Sequence, residues 1–445
     1  MRGTTVNPRL RKGVRTVIAA AVAGLVLASC GVAAEPVENP KLSKGKVTIT
    51  WNWWGADPRH QASFKAIKLF EKEHPNINVK PVYADWNGYW DRLATSTASG
   101  DMPDVNQFDQ LYLSSYAERG ALLDLSTVKK FLDTSKLDPK AVVSGQVDKK
   151  LYAVPVGNTT NSVLINKGLF KKYGVELPDT DNWTWAEFTK AAARLGKASK
   201  GKAYGFGPTG SDSFSVNLWA RQRGNQLFDA KGEVTLKPSV LASYWKTILG
   251  WTKNDAAPPP KVIIEMDGLP LDQGNLVNNK QGMGFIPSGQ FTSFKEAAPK
   301  LDLEMADWPR DPEMPKGYQY LKPTMYWAAS SGTQHPAEAA TLIDFLTNDP
   351  RVAKIFGLER GEPGNPEARK ALEPTLDKAG KELLAFSDEM SGKVGKTPPL
   401  TPKGASDIDA LLKRQYQRVL TGEAGPDEAA RTFVGELRDS VEAAS

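Results

Sequence analysis

Val47, Ile49, Trp51 and Trp53 alternate with Thr48, Thr50 and Asn52. This period of two, built from β-branched and aromatic residues, predicts a strand with one face buried. Asp57-Pro58 then offers a cap and a first-turn proline, and Phe64, Ile67 and Phe70 recur at helical spacing until Pro75 stops them. Residues 77–83 predict a second strand, residues 89–98 a second helix, and Pro103-Asp104-Val105 opens a third strand. Strands alternating with helices imply βαβ units, an α/β fold and a mainly parallel sheet. The rhythm returns after residue 160, with a strand at 163–166 and a helix at 167–173 ended by Gly174. Thr184-Trp185-Ala186-Glu187 is a capping box that starts a helix through Phe188, Ala192 and Leu195. Two helices, 408–420 and 426–443, close the chain around Gly422 and Gly425. No internal repeat or low-complexity stretch interrupts this pattern.

The first 45 residues follow a different pattern. Arg2, Arg9, Arg11, Lys12 and Arg15 precede an apolar run at 17–28 that ends in small residues before Cys30. Such a run is well short of the roughly 20 residues a membrane-spanning helix needs, and the arrangement is that of a secretory signal peptide over residues 1–29. Leu27-Ala28-Ser29-Cys30 resembles the bacterial lipoprotein signal, which implies that Cys30 is acylated, becomes the new N-terminus and anchors the protein to the outer face of the cell membrane. With Cys30, residues 31–45 read as a flexible tether. Losing the leader removes five of 57 basic residues and no acid, leaving 52 against 51. The high isoelectric point is thus a property of the leader, and nothing in the body calls for a nucleic-acid partner. No later stretch is apolar enough to span a bilayer, and a single cysteine excludes internal disulfides. The length asks for two lobes, and 12 tryptophans suggest large cores or an aromatic-lined site.

Motifs for chemistry are weak. Gly205-Phe206-Gly207-Pro208-Thr209-Gly210 fits a dinucleotide loop, but Pro208 has no N–H for a phosphate, so the stretch reads as a loop leaving a strand. Residues 196–203 approach a phosphate-loop pattern, yet Ala203 stands where a hydroxyl must meet Mg²⁺. His60, His74 and His335 lack ligand spacing, and no nucleophile elbow exists. No cofactor or metal is expected. Asp101, Asp104 and Asp109 cluster in sequence and keep open a two-carboxylate glycosidase.

Several stretches resemble the extracellular solute-binding proteins of bacterial ABC sugar importers, akin to maltose-binding protein. They are Phe70-Glu71-Lys72-Glu73-His74-Pro75 with Ile77-Asn78-Val79, Ala98-Ser99-Gly100-Asp101-Met102-Pro103-Asp104-Val105, and Gly120-Ala121-Leu122-Leu123-Asp124-Leu125. Tyr152-Ala153-Val154-Pro155, then Leu164-Ile165-Asn166-Lys167 with Ile165 for the usual tyrosine, Trp183-Thr184-Trp185-Ala186-Glu187-Phe188 and Val419-Leu420-Thr421-Gly422-Glu423 continue the series. The resemblance implies a two-lobe periplasmic-binding-protein-like fold (type II) with a ligand cleft between lobes joined by crossing hinge segments. By similarity the crossings fall near residues 153–157, 284–287 and 328–332. Lobe one would be 46–153 plus 285–330, and lobe two 154–284 plus 331–445.

Sugars present an apolar face to aromatic rings and hydroxyls to carboxylates, amides and guanidinium groups. Trp53 and Trp54 end the first predicted strand, Trp86 and Trp90 follow the second, and Asp109 ends the third. Asn158 follows the first expected crossing, and Trp327 lies beside the third. By similarity Asp212, Phe214 and Trp219 occupy a second-lobe loop, Gln290 and Phe291 follow the return crossing, and Arg360 opens an R-G-x-P turn at the cleft border. The expectation is a monomeric, non-enzymatic lipoprotein that binds a mono- or oligosaccharide by hinge closure and delivers it to membrane permease subunits. A secreted glycosidase or a ligand-sensing lipoprotein are the alternatives.

Overall fold

The computed structural model describes residues 39–444, so the leader and Cys30 lie outside the described residues. The chain begins β1 (Val47–Trp54), α1 (Asp57–Glu73), β2 (Ile77–Ala84), α2 (Trp86–Ser99), β3 (Val105–Phe108) and α3 (Gln110–Glu118). Next come α4 (Pro139–Val143), the hairpin strands β4 (Gln146–Val147) and β5 (Lys150–Leu151), β6 (Ala153–Thr159), β7 (Asn161–Asn166) and α5 (Lys167–Lys172). The middle holds α6 (Trp185–Ser199), β8 (Tyr204–Gly207), α7 (Ser213–Arg221), α8 (Pro238–Lys253), α9 (Pro260–Met266), β9 (Gln281–Pro287), α10 (Phe291–Ala297) and β10 (Leu303–Ala306). The remainder is β11 (Lys322–Ala329), α11 (Pro336–Asn348), α12 (Pro350–Phe356), β12 (Glu362–Pro363), α13 (Pro366–Leu372), α14 (Lys378–Ser391), α15 (Ile408–Thr421) and α16 (Pro426–Ala444).

Two sheets carry the two lobes. The first has six strands in the order β12-β6-β11-β3-β1-β2, and the second four in the order β10-β7-β9-β8. β1 runs parallel to β2 and β3, as βαβ units require, while β11 returns antiparallel between β3 and β6. Pro81 is tolerated in β2 because β2 is an edge strand. The alternation in β1 does its expected work: Ile49, Trp51 and Trp53 pack with Phe70 of α1 and Ile343 of α11. On the opposite face Trp54 and Phe108 meet Trp90 and Leu113 of α2 and α3. The second core is aromatic, with Phe285 stacked on Trp308 at 3.9 Å and Phe188, Phe206 and Trp251 around them.

α6 forms with its capping box complete, Thr184 and Glu187 each bonding the other's backbone N–H. α2 starts three residues earlier than expected, because the Asp85 side chain accepts from Gly88 N–H and caps it. The tether is fixed near its end, where Ser43 N–H donates to buried Glu338 at 2.6 Å.

Sheet membership differs from the expected division. β6 stays in the first sheet to Thr159, and the chain enters the second at Asn161, later than residues 153–157. Residues 284–287 are the body of β9, paired with β7 and β8, rather than a crossing. β9, α10 and β10 therefore belong with the second sheet although residues 285–330 were expected in lobe one. The return lies between Ala306 and Lys322, and residues 328–332 remain beside β3, with Ser330 N–H donating to Asp104 O. α11 covers the first sheet and α15–α16 the second core, so the chain after 331 is shared between lobes. At the first crossing Ser288 Oγ lies 3.1 Å from both Thr159 Oγ1 and the Thr160 N–H that donates to it, holding the end of β9 against the passing chain.

Candidate functional site

Between the two lobes lies a small cavity of about 40 Å³. Its walls include Gln110 and Tyr326 from the first lobe, and Ser213, Phe214, Asn217 and Tyr320 from or beside α7. Residues 397–401 cover it. Thr397 Oγ1 donates to Leu321 O, and Leu400 packs on the Trp54–Trp90 cluster, so this strap is anchored to both sides. Pockets that hold small organic ligands run to about 300–1,000 Å³. Admitting one here requires the lobes to part.

On the first-lobe side, the C-terminal ends of β1, β2 and β3 gather an aromatic group. Trp54 meets Trp86 edge-on at 5.0 Å, and Trp90 stacks on Tyr112 of α3 at 3.9 Å. Trp86 is 38% exposed, the one of these tryptophans with a free face. Tyr112, absent from the sequence-based candidates, links this group to the acids opposite. Burial, then the carboxylates of Asp407, Asp109 and Asp409, raises its phenol's pKa.

On the second-lobe side, Asp212 caps α7 by accepting from Phe214 and Ser215 N–H, and Asp409 of α15 accepts from Ser213 N–H at 2.9 Å. Burial, with the Asp212 charge beside it, pushes the Asp409 carboxyl up, while Lys322 and the Ser213 bonds oppose. Carboxylates fixed by backbone donors keep free lone pairs for ligand hydroxyls. Phe214 and Tyr320 lie 5.2 Å apart, with the Lys322 ammonium 5.9 Å over the Phe214 ring.

The other candidates go elsewhere. Trp53 and Trp327 are fully buried in the first core, where Trp53 Nε1 donates to His60 and Trp327 packs edge-on against Trp51. Trp219 is buried under the Arg223 guanidinium, and Phe291 lies in the core beside β7 and β9. These four hold the scaffold and offer no face to a ligand. Asn158 lies on β6 between β11 and β12 and is not among the residues lining the interlobe cavity, though its register partner Pro323 is; its Oδ1 is buried and unpaired. Arg360 is buried between Phe356 and Trp327, donates to Ser63 Oγ at 2.8 Å, and leaves Nε and Nη1 without hydrogen-bond partners. Burial pulls its pKa down. Gln290 is exposed and lines a different cavity, in the second lobe. Asp109 caps α3 through Leu111 N–H and, half-buried, stays near Tyr112.

Asp104 accepts from Thr50 N–H and lies at the start of β3, opposite the end that carries Asp109. Five residues of extended chain, about 16 Å, separate them, more than the roughly 5–9.5 Å spanned by a glycosidase pair. Among the described residues no group of histidine, cysteine and acidic side chains could hold a metal ion, and no helix is long and apolar enough to cross a membrane.

The sequence profile of the bacterial extracellular solute-binding proteins matches residues 58–351. The multiple sugar-binding protein of Streptococcus mutans is 24% identical over 349 residues, which span 73% of this chain and 76% of that protein. An uncharacterized lipoprotein of Streptomyces antibioticus is 24% identical over 422 residues, 92% of this chain and 88% of its own length. Among solved structures, the periplasmic oligogalacturonide binding protein from Yersinia enterocolitica is 25% identical, covers 89% of this chain and 100% of its own, and superposes with a TM-score of 0.73. The chain belongs to the bacterial extracellular solute-binding proteins.

Proposed function

We propose that this protein is the substrate-binding subunit of an ABC importer, that it takes a mono- or oligosaccharide between its lobes without chemical change, and that acylated Cys30 holds it at the membrane. The observation that carries the reading is a tryptophan–tyrosine group on the first lobe whose Tyr112 lies near Asp407 and Asp409, the latter and Asp212 being carboxylates held by backbone N–H groups on the second lobe. Rings stack on the C–H face of a sugar and carboxylates accept from its hydroxyls. The near-balanced charge of the body and the likeness to the multiple sugar-binding protein of Streptococcus mutans support a neutral ligand of this class. Lobe one would comprise the six-stranded sheet with α1–α3, α11 and α12, and lobe two the four-stranded sheet with α5–α10, α15 and α16. Affinity near micromolar, about −8 kcal/mol, suits capture followed by release.

Tryptophan fluorescence, titrated with a panel of mono- and oligosaccharides, tests this directly. Saturable change with the sugar recovered intact supports the reading. Silence across the panel overturns it, and sugar hydrolysed during the titration favours a glycosidase instead. Cys30→Ala tests the anchor: the variant should move from the membrane pellet to the soluble fraction.

A further inference from the structure

The strap over the interlobe cavity is built into the second lobe at both ends. Before it, Gly395 N–H donates to Gln319 O at 2.8 Å, and Arg221 of α7 donates to Lys396 O at 2.9 Å. A Cβ on Gly395 would lie 2.1 Å from Gly317 O, so glycine there lets the two backbones meet. After it, Pro402 lies against Gly232, and Ala405 and Ile408 enter the second core. Pro398, Pro399 and Pro402 fix φ at three of the six positions 397–402, so the strap has little freedom to lose when its tip is placed. That tip is Leu400, half-buried against the first-lobe cluster that holds Trp54, Trp90 and Tyr326. A second leucine crosses the other way. Leu111, near the start of α3 on the first lobe, is half-buried against the second core.

Each lobe thus sets one leucine on the other's apolar cluster, and both contacts belong to an empty cleft. The cavity between them holds about 40 Å³, against the roughly 300–1,000 Å³ of a small-ligand site. A ligand therefore enters only when the lobes part. Because the strap is fixed to the second lobe, parting lifts Leu400 from the first-lobe cluster, and it lifts Leu111 from the second core. Contacts made in one state alone bias the equilibrium toward that state. Apparent affinity then falls by the fraction of molecules able to accept ligand. We propose that Leu400 and Leu111 form an autoinhibitory latch, which holds the ligand-free lobes together and which a ligand must release. This rests on the interlobe cavity as the binding site, and not on which ligand it takes.

Small-angle X-ray scattering from the ligand-free wild type, Leu400→Ala, Leu111→Ala and Leu400→Met, fitted as a mixture of closed and parted lobes, tests this. The wild type and Leu400→Met, which keeps the apolar volume, should scatter as the closed structure does. Each alanine variant should raise the ratio of parted to closed molecules about five- to tenfold and show a larger radius of gyration. Calorimetry with maltotriose and raffinose as probes supplies a second readout. Whichever sugar the wild type binds should bind the alanine variants more tightly, by up to the same factor. A wild type with parted lobes, or alanine variants as closed as the wild type, overturns the latch and leaves the carbohydrate reading standing. Weaker sugar binding by both alanine variants overturns it too, since the leucines would then serve the bound form. Failure to bind either sugar counts against the carbohydrate reading, and the scattering decides the latch without it.

Discussion

Tryptophan at a strand end can be core or platform, and burial separates the two roles here. Trp54 and Trp86 lie around the end of the first βα turn, yet only Trp86 keeps a free face, while Trp53 and Trp327 are wholly enclosed. Trp327→Ala should therefore destabilise by about 3–5 kcal/mol through cavity formation, whereas Trp86→Ala should shift stability by about 0.5 kcal/mol or less; urea unfolding of each reads this out. Asp409 makes a pH prediction. Burial and Asp212 raise its folded-state pKa, so its stabilising contribution is complete below the unfolded carboxylate range and is lost as pH rises through the raised value. Asp409→Asn should thus be as stable as the wild type at pH 7, or more stable by about 1 kcal/mol, with the difference shrinking toward pH 4. A variant clearly weaker at pH 7 would refute that sign. Neither Asp409 nor Tyr112 stood out in the sequence, because each meets its partners only in the fold: Asp409 meets Ser213 and Asp212 nearly 200 positions earlier, and Tyr112 lies near Asp407 and Asp409 nearly 300 positions later.

Local signals carried most of the elements: the β1 alternation, the α6 capping box and the proline at the head of α1 are all in place. The glycine pattern at 205–210 has a packing cause. A Cβ on Gly205 would lie 2.0 Å from Ala192 O of α6, so glycine there lets β8 sit against the helix backbone. Gly205→Ala should cost about 2–3 kcal/mol by overpacking, measurable by thermal unfolding, with secondary structure retained. What local pattern could not supply is which sheet a strand joins. β6 and β7 form one nearly continuous extended run, and only long-range pairing with β11 on one side and β9 on the other splits it after Thr159. The same limit misplaced β9 and β10.

The two-lobed plan was legible through the order and spacing of several weak motifs, and the family match over 58–351 agrees with it. The site was legible in part. Strand ends pointed to Trp54, Trp86, Trp90 and Asp109, but the strap at 397–401 and the acids at the start of α15 come from the end of the chain, where sequence alone placed two helices and no ligand contact. The interlobe cavity holds about 40 Å³, too little for a sugar ring, so capture there must couple to opening of the lobes, and contacts made only in the closed form must drive closure. The central claim is that one ligand is gripped from both lobes at once. Calorimetric titration of the best-binding sugar into wild type, Trp86→Ala and Asp409→Ala tests it most directly. Both variants should lose at least tenfold in affinity, about 1.4 kcal/mol each, with 1:1 stoichiometry kept in the wild type. Undiminished binding by either variant would contradict a two-sided cleft.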